Sequence, residues 1–130
     1  MPSEPLDSSN VVGRRMRSRR EELGWSQEKV GVLIGIDESS ARARISRYEL
    51  GTHEAPVKTA RQIADALSVP LAYLYCEDEK VASLLLALWT LKPALRELTV
   101  SSWLDGMCNV MVPDHLSPPP PTCVEQKHKL

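Results

Sequence analysis

Five arginines crowd one short stretch of this 130-residue chain, Arg14, Arg15, Arg17, Arg19 and Arg20, with no acid among them. Arg42, Arg44 and Arg47 form a second group. A guanidinium is permanently charged and presents a planar fork of donors, so such clusters suit carboxylates and phosphates. The charge is local. Residues 11–75 carry eleven Lys/Arg against eight Asp/Glu, whereas residues 1–10 and 76–130 are each acidic by two, leaving the chain at −1. A basic segment inside a near-neutral chain favours an anionic partner; the plainer alternative is a solvated helix face.

Catalytic groups are harder to assemble. The chain has no Gly-rich phosphate loop, no His-Glu-x-x-His and no Gly-x-Ser-x-Gly. Its histidines are His53, His115 and His128, and a set drawn from Cys108, His115, Cys123 and His128 matches no standard zinc spacing. No metal, cofactor or small-molecule ligand is implied, and the chain is not expected to be an enzyme. Cys76, Cys108 and Cys123 are an odd set, and the opening MPSEPLDSSN lacks the charge and apolar core of a signal peptide. They read as reduced thiols in a cytoplasmic protein. The longest apolar run, Leu84 to Trp89, falls far short of the ~20 residues a membrane span needs.

The elements that must position the arginines are helical. Hydrophobic residues make up 42% of the chain, yet Phe is absent and Trp and Tyr number three each, so the core is aliphatic and leans to helix. Size allows one domain and an appendage. Residues 1–9, with Pro2 and Pro5, are expected to be a flexible leader. Val12, Met16, Arg20 and Leu23 recur at helical spacing between an Asn10 cap and Gly24. Trp25 plugs the turn that follows. Ser26 caps a second, short helix with Val30, Leu33 and Ile34 as its buried stripe, ended by Gly35.

A third helix runs from caps among Asp37 to Ser40 as far as Leu50, where Gly51 stops it. Ala41, Ile45, Tyr48 and Glu49 share its inner face; Ser39, Ser40, Ala43, Ser46 and Arg47 point the opposite way, flanked by Arg42 and Arg44. Pro56 opens a fourth helix burying Ala60, Ile63, Ala64 and Leu67, and Leu71 to Tyr75 make a short fifth. Glu77 to Glu79 begin a sixth, ending near Lys92 ahead of Pro93, with Val81, Leu84, Leu85 and Leu88 on one stripe. A further short helix from Pro93 carries Leu95, Leu98 and Trp103. Beyond Leu104 the periodicity fails, and Pro118 to Pro121 mark a tail expected to be disordered.

The informative stretch is Leu23 to Gly51. A short helix, a Gly-containing turn and a second helix with an apolar inner face and an Arg-rich outer face describe a helix-turn-helix. Small residues and arginines let that outer face enter a DNA major groove about 12 Å wide. Acids there would repel phosphates, and only Glu38 sits at its start. Three segments, Leu23-Gly24-Trp25-Ser26-Gln27-Glu28, Ile45-Ser46-Arg47-Tyr48-Glu49-Leu50-Gly51 and Ile63-Ala64-Asp65-Ala66-Leu67-Ser68-Val69-Pro70, follow in order. Together they resemble the Cro/phage-repressor (XRE) helix-turn-helix family.

The resemblance implies an all-α fold whose core is a five-helix lambda-repressor-like DNA-binding domain. The expected division is a leader at 1–9, that domain at 10–76, a helical extension at 77–103 and the tail at 104–130. In the family the second helix braces the phosphate backbone and the third reads bases. The implied function is a double-stranded-DNA-binding transcriptional regulator, with repression the family's more common role. The alternative is an antitoxin or restriction-control module that uses the same domain to bind a protein.

Gln27 matches a family position that contacts phosphate and buttresses the reading helix. Between Gly35 and Ile45 the chain is about one helical turn longer than the family pattern. Ser46 and Arg47 therefore carry over from the resemblance, with Arg42 and Ala43 beside them; Ser39, Ser40 and Arg44 rest on the helix face. Arg42 and Arg47 are expected to carry discrimination between sites. Arg15, Ser26, Thr52, His53 and Lys58 are candidate phosphate contacts.

Arg20 and Glu49 lie on stripes otherwise apolar, on helices that must pack together, so the economical arrangement pairs them. The family has an Arg–Glu pair there, which orients the two helices. Leu86 and Trp89 project off the stripe of the sixth helix, and Leu91, Leu95 and Leu98 continue the apolar content. A second apolar face needs a partner, and a two-fold homodimer through residues 79–103 supplies one. It would present two reading helices to half-sites about 10 bp apart.

Overall fold

A computed structural model describes residues 10–109. Among them are seven helices and no strand: α1 (Val11–Glu22), α2 (Gln27–Leu33), α3 (Glu38–Leu50), α4 (Val57–Ala66), α5 (Leu71–Tyr75), α6 (Glu79–Thr90) and α7 (Pro93–Cys108). The fold is all-α. The chain divides into two compact units, Met1–Thr90 with α1 to α6 and Leu91–Leu130 with α7. The leader at 1–9, the polyproline stretch, His115, Cys123 and His128 lie outside the described residues.

The first unit closes around Met16, Val30, Ile45, Ile63, Leu67 and Leu74, all shut off from water. Each such side chain contributes about 1.5–3 kcal/mol relative to exposure. Trp25, Leu23, Ile34 and Tyr48 pack against this core from its edge.

Two close approaches set the helix positions. A Cβ added at Gly31 would lie 2.6 Å from the Ala41 Cβ, so only small residues let α2 and α3 cross this near. That crossing rolls α2. Gly31 joins Val30 in the buried stripe while Leu33, expected inside, is 54% exposed. At the other end of α3, a Cβ at Gly13 would meet the Tyr48 and Glu49 carbonyl oxygens at 2.5 Å. The first turn of α1 lies against the last turn of α3, and Asn10 follows that contact. Instead of capping α1 with its side chain, it donates from Nδ2 to the Glu49 carbonyl at 2.9 Å.

Capping matches the sequence at α2, where the Lys29 N–H donates to Ser26 Oγ at 3.0 Å. α3 begins at Glu38, so most of the stretch 36–44, where the chain exceeds the family pattern, is helical. The left-handed Gly51 ends it.

The phase of α6 differs from expectation. Ala82 is buried and Leu85 and Leu86 pack against the core, whereas Val81 and Leu84 are exposed. The start of the helix decides this: Asp78 Oδ1 accepts from the Val81 N–H at 2.8 Å, and Glu79 is held by Arg15. α7 starts with Pro93 in its first turn and runs past Trp103 to Cys108, so residues 104–108 are helical rather than part of the irregular tail. Its apolar residues change face partway, from Leu95 and Leu98 to Val100, Trp103, Leu104 and Met107. A single stripe therefore fades although the helix continues. No residue of α7 is buried.

Candidate nucleic-acid interface

The site starts from a carboxylate. Glu49 lies inside the seam between α1 and α3 with its side chain 3% exposed, and both its oxygens are engaged. Arg20 donates from Nε to Oε1 at 2.6 Å and from Nη2 to Oε2 at 3.1 Å, and Gln27 donates from Nε2 to Oε2 at 3.0 Å. Arg20 Nη1 completes its fork on the Trp25 carbonyl at 2.8 Å. The hydrogen bond to Glu49 holds the Arg20 pKa above its ordinary value, against the opposing effect of burial. One carboxylate thus ties α3 to α1 and to the first turn of α2. That geometry fixes how α3 sits on α1 and α2.

The outer face carries the expected set. Ser39, Ser40, Arg42, Ala43, Arg44 and Arg47 are exposed and Ser46 is half-buried. Ser39 donates from Oγ to Asp37 Oδ2 at the start of the helix. The Arg47 carbonyl accepts from Thr52 Oγ1 and from the His53 N–H, both at 3.3 Å, which folds the loop after α3 back on the helix end. Thr52, His53 and Lys58 are exposed beyond it.

Two arginines of α1 stand elsewhere than the sequence suggested. Arg15 is no free phosphate contact: its side chain is 8% exposed and faces α5 and α6. It donates from Nε to the Cys76 carbonyl at 3.0 Å, from Nη1 to Glu79 Oε2 at 2.8 Å and from Nη2 to the Glu77 carbonyl at 3.4 Å. Its guanidinium also lies 5.9 Å from the Tyr73 ring centroid, and burial pushes the Tyr73 hydroxyl pKa up. Arg19, one of the arginines for which a solvated helix face was the plainer alternative, donates from Nε to the Leu67 carbonyl at 3.1 Å and so satisfies the end of α4.

Arg17 is the residue that sequence reasoning passed over. It lines an open cleft of about 510 Å³ together with Arg20, Ser26, Gln27, Glu28 and Arg42. Its place three residues before Arg20 on α1 is the signal that puts it on the same side.

A helix-turn-helix family model matches residues 16–74. An uncharacterised HTH-type transcriptional regulator of Sinorhizobium medicae is 38% identical over 64 residues, 49% of this chain and 43% of that protein. An uncharacterised transcriptional regulator in the ATPase CF(0) region of Rhodospirillum rubrum is 33% identical over 69 residues, 53% of this chain and 60% of that one. These matches span less than two thirds of either relative. The crystal structure of the transcriptional regulator BswR is similar with a TM-score of 0.65 at 36% identity, over 72% of this chain and 92% of that chain. The chain belongs to the XRE-type helix-turn-helix family of transcriptional regulators.

Proposed function

We propose that the chain is a sequence-specific, double-stranded-DNA-binding repressor of the cytoplasm. The observation that carries this reading is the exposed, arginine-lined face of α3, locked from behind by a carboxylate with three donors on it. Ser39, Ser40, Ala43, Arg44, Ser46 and Arg47 enter the major groove and read bases. Gln27, Ser26, Thr52, His53 and Lys58 hold the flanking backbone. Phosphate contacts set affinity and register, and base contacts set the sequence.

The protein acts as a two-fold homodimer through residues 79–103. The exposed Val81 and Leu84 on α6 and the exposed Leu95, Leu98 and Trp103 on α7 support this. Selection of bound duplexes from a random pool tests the whole reading. The expected product is a pseudo-palindrome whose affinity falls steeply with salt and whose discrimination is lost in Arg47→Ala. A reporter placed behind that site should fall in expression when the protein is present. Absence of any enriched sequence would sink the reading. Light scattering that finds a monomer at micromolar concentration would remove the dimer alone.

A further inference from the structure

The cleft between α1, α2 and α3 is lined by Arg17, Arg20, Ser26, Gln27, Glu28 and Arg42, yet its donors are not all used. Arg20 is committed to Glu49 and the Trp25 carbonyl. Ser26 Oγ accepts from the Lys29 N–H, which leaves its own O–H to donate outward. Gln27 Nε2 gives one proton to Glu49 and keeps a second. Arg17 makes only an exposed pair with Glu21 at 3.0 Å, which solvent leaves weak. Arg42, on the second turn of α3, lines the same cleft as Arg17. Glu28 is the one acid on the rim.

Two guanidinium forks, a hydroxyl proton and an amide proton around one open cleft fit a tetrahedral oxyanion of low charge. We propose that Arg17 and Arg42 are the two jaws of a seat for a single backbone phosphodiester. Arg42 thereby clamps the duplex and does not read a base. The inference rests on the DNA-binding reading above and assigns Arg17 and Arg42 a shared ligand within it. Because both grip one phosphate, removing either loosens the grip, and removing the second adds little more.

The test uses the full chain and its selected duplex. Arg17→Gln and Arg42→Gln should each weaken binding about tenfold, by equal factors on the selected and on unrelated duplexes. Their double variant should weaken binding far less than a hundredfold, with a salt slope lowered by about one. A neutral methylphosphonate placed along the backbone should weaken wild type at one position per half-site and leave the double variant unmoved there. Wild-type affinity and salt slope in Arg17→Gln would overturn the seat while leaving DNA binding intact. So would a loss of discrimination in Arg42→Gln without loss of non-specific affinity. Inorganic phosphate that raises the melting temperature of wild type only, with duplex binding equal in all variants, would assign the cleft to a free ion and overturn the proposal. A wild type that binds no duplex at all would defeat the DNA reading itself.

Discussion

Two of the arginine–glutamate pairs that join helix α1 to its neighbours look alike on paper and differ in substance. Arg20 meets Glu49 on α3 at 2.6 Å, and Arg15 meets Glu79 on α6 at 2.8 Å. Both cations are sheltered, at 13% and 8% exposure. The carboxylates diverge: Glu49 is 3% exposed and Glu79 is 59% exposed. A buried carboxylate cannot fall back on water, so every donor around it becomes obligatory and the geometry is rigid. An exposed carboxylate exchanges its partner for solvent at small cost. The first seam holds the helix proposed to read DNA, and the second holds an appendage.

Glu49→Ala tests the rigid seam and should have the largest effect of any change considered. It strands the Arg20 guanidinium and the Gln27 amide at once, and the usual cost of breaking a buried pair is about 3–5 kcal/mol. Thermal denaturation should show a melting temperature well below wild type; an unchanged one would contradict the seam's importance. Gly31→Leu attacks the same region through packing. The new side chain must enter space where even a Cβ lies 2.6 Å from Ala41, so α2 and α3 are forced apart. Overpacking of this kind costs about 1–3 kcal/mol, and denaturant titration measures it. A variant as stable as wild type would mean that the crossing yields more readily than its closeness suggests.

The contrast also marks what could be read in the sequence. Arg20 and Glu49 were legible because each interrupts an apolar stripe, and one charged position in a buried row demands an explanation. Arg15 was not legible. Its acceptors are mainly carbonyls of Cys76 and Glu77, and any residue could supply those. Helices α1 to α5 followed from caps and stops such as Ser26, Gly35 and Gly51, which are chemical signals independent of packing. The roll of α2 and the phase of α6 were hidden, because Gly31 and Ala82 carry little hydrophobic signal yet decide which face lies inside. On the candidate interface, the outward residues of α3 were visible by spacing. Arg17 was legible only as a neighbour of Arg20 on α1; that it lines one cleft with Arg42 depends on how α1 and α3 pack.

The softer seam should break locally. Arg15→Ala removes a donor from two carbonyls and a partner from Glu79, all near enough to the surface for water to replace part of the loss. A cost of about 1–3 kcal/mol is expected for the lost hydrogen bonds to a charged group. Hydrogen exchange should show it as faster exchange in α6 with protection of α3 kept. Equal loss of protection in both helices would erase the distinction between the seams. Arg15→Lys keeps the charge but not the fork, so it should recover only part of the protection.

The smallest effect belongs to Glu79. The Arg15 guanidinium, hydrogen-bonded to it, holds its carboxyl below the ordinary value of 4.5, with burial opposing and the charges of Arg15 and Arg14 assisting. A carboxyl whose pKa is lower in the folded than in the unfolded state stabilises the fold most fully above the unfolded value. That contribution drains away as pH falls through the folded one. Because Glu79 is more than half exposed, solvent screens the pair, and its worth stays below about 1 kcal/mol. Glu79→Gln should therefore melt slightly below wild type at neutral pH. The gap should narrow as the pH drops past about 4.5 and close in more acid solution, where wild type carries a neutral carboxyl too. Added salt should shrink the neutral-pH gap as well. A gap that stayed constant through the acid range would show that Glu79 acts by shape and not by charge, and the two seams would then differ in kind rather than in degree.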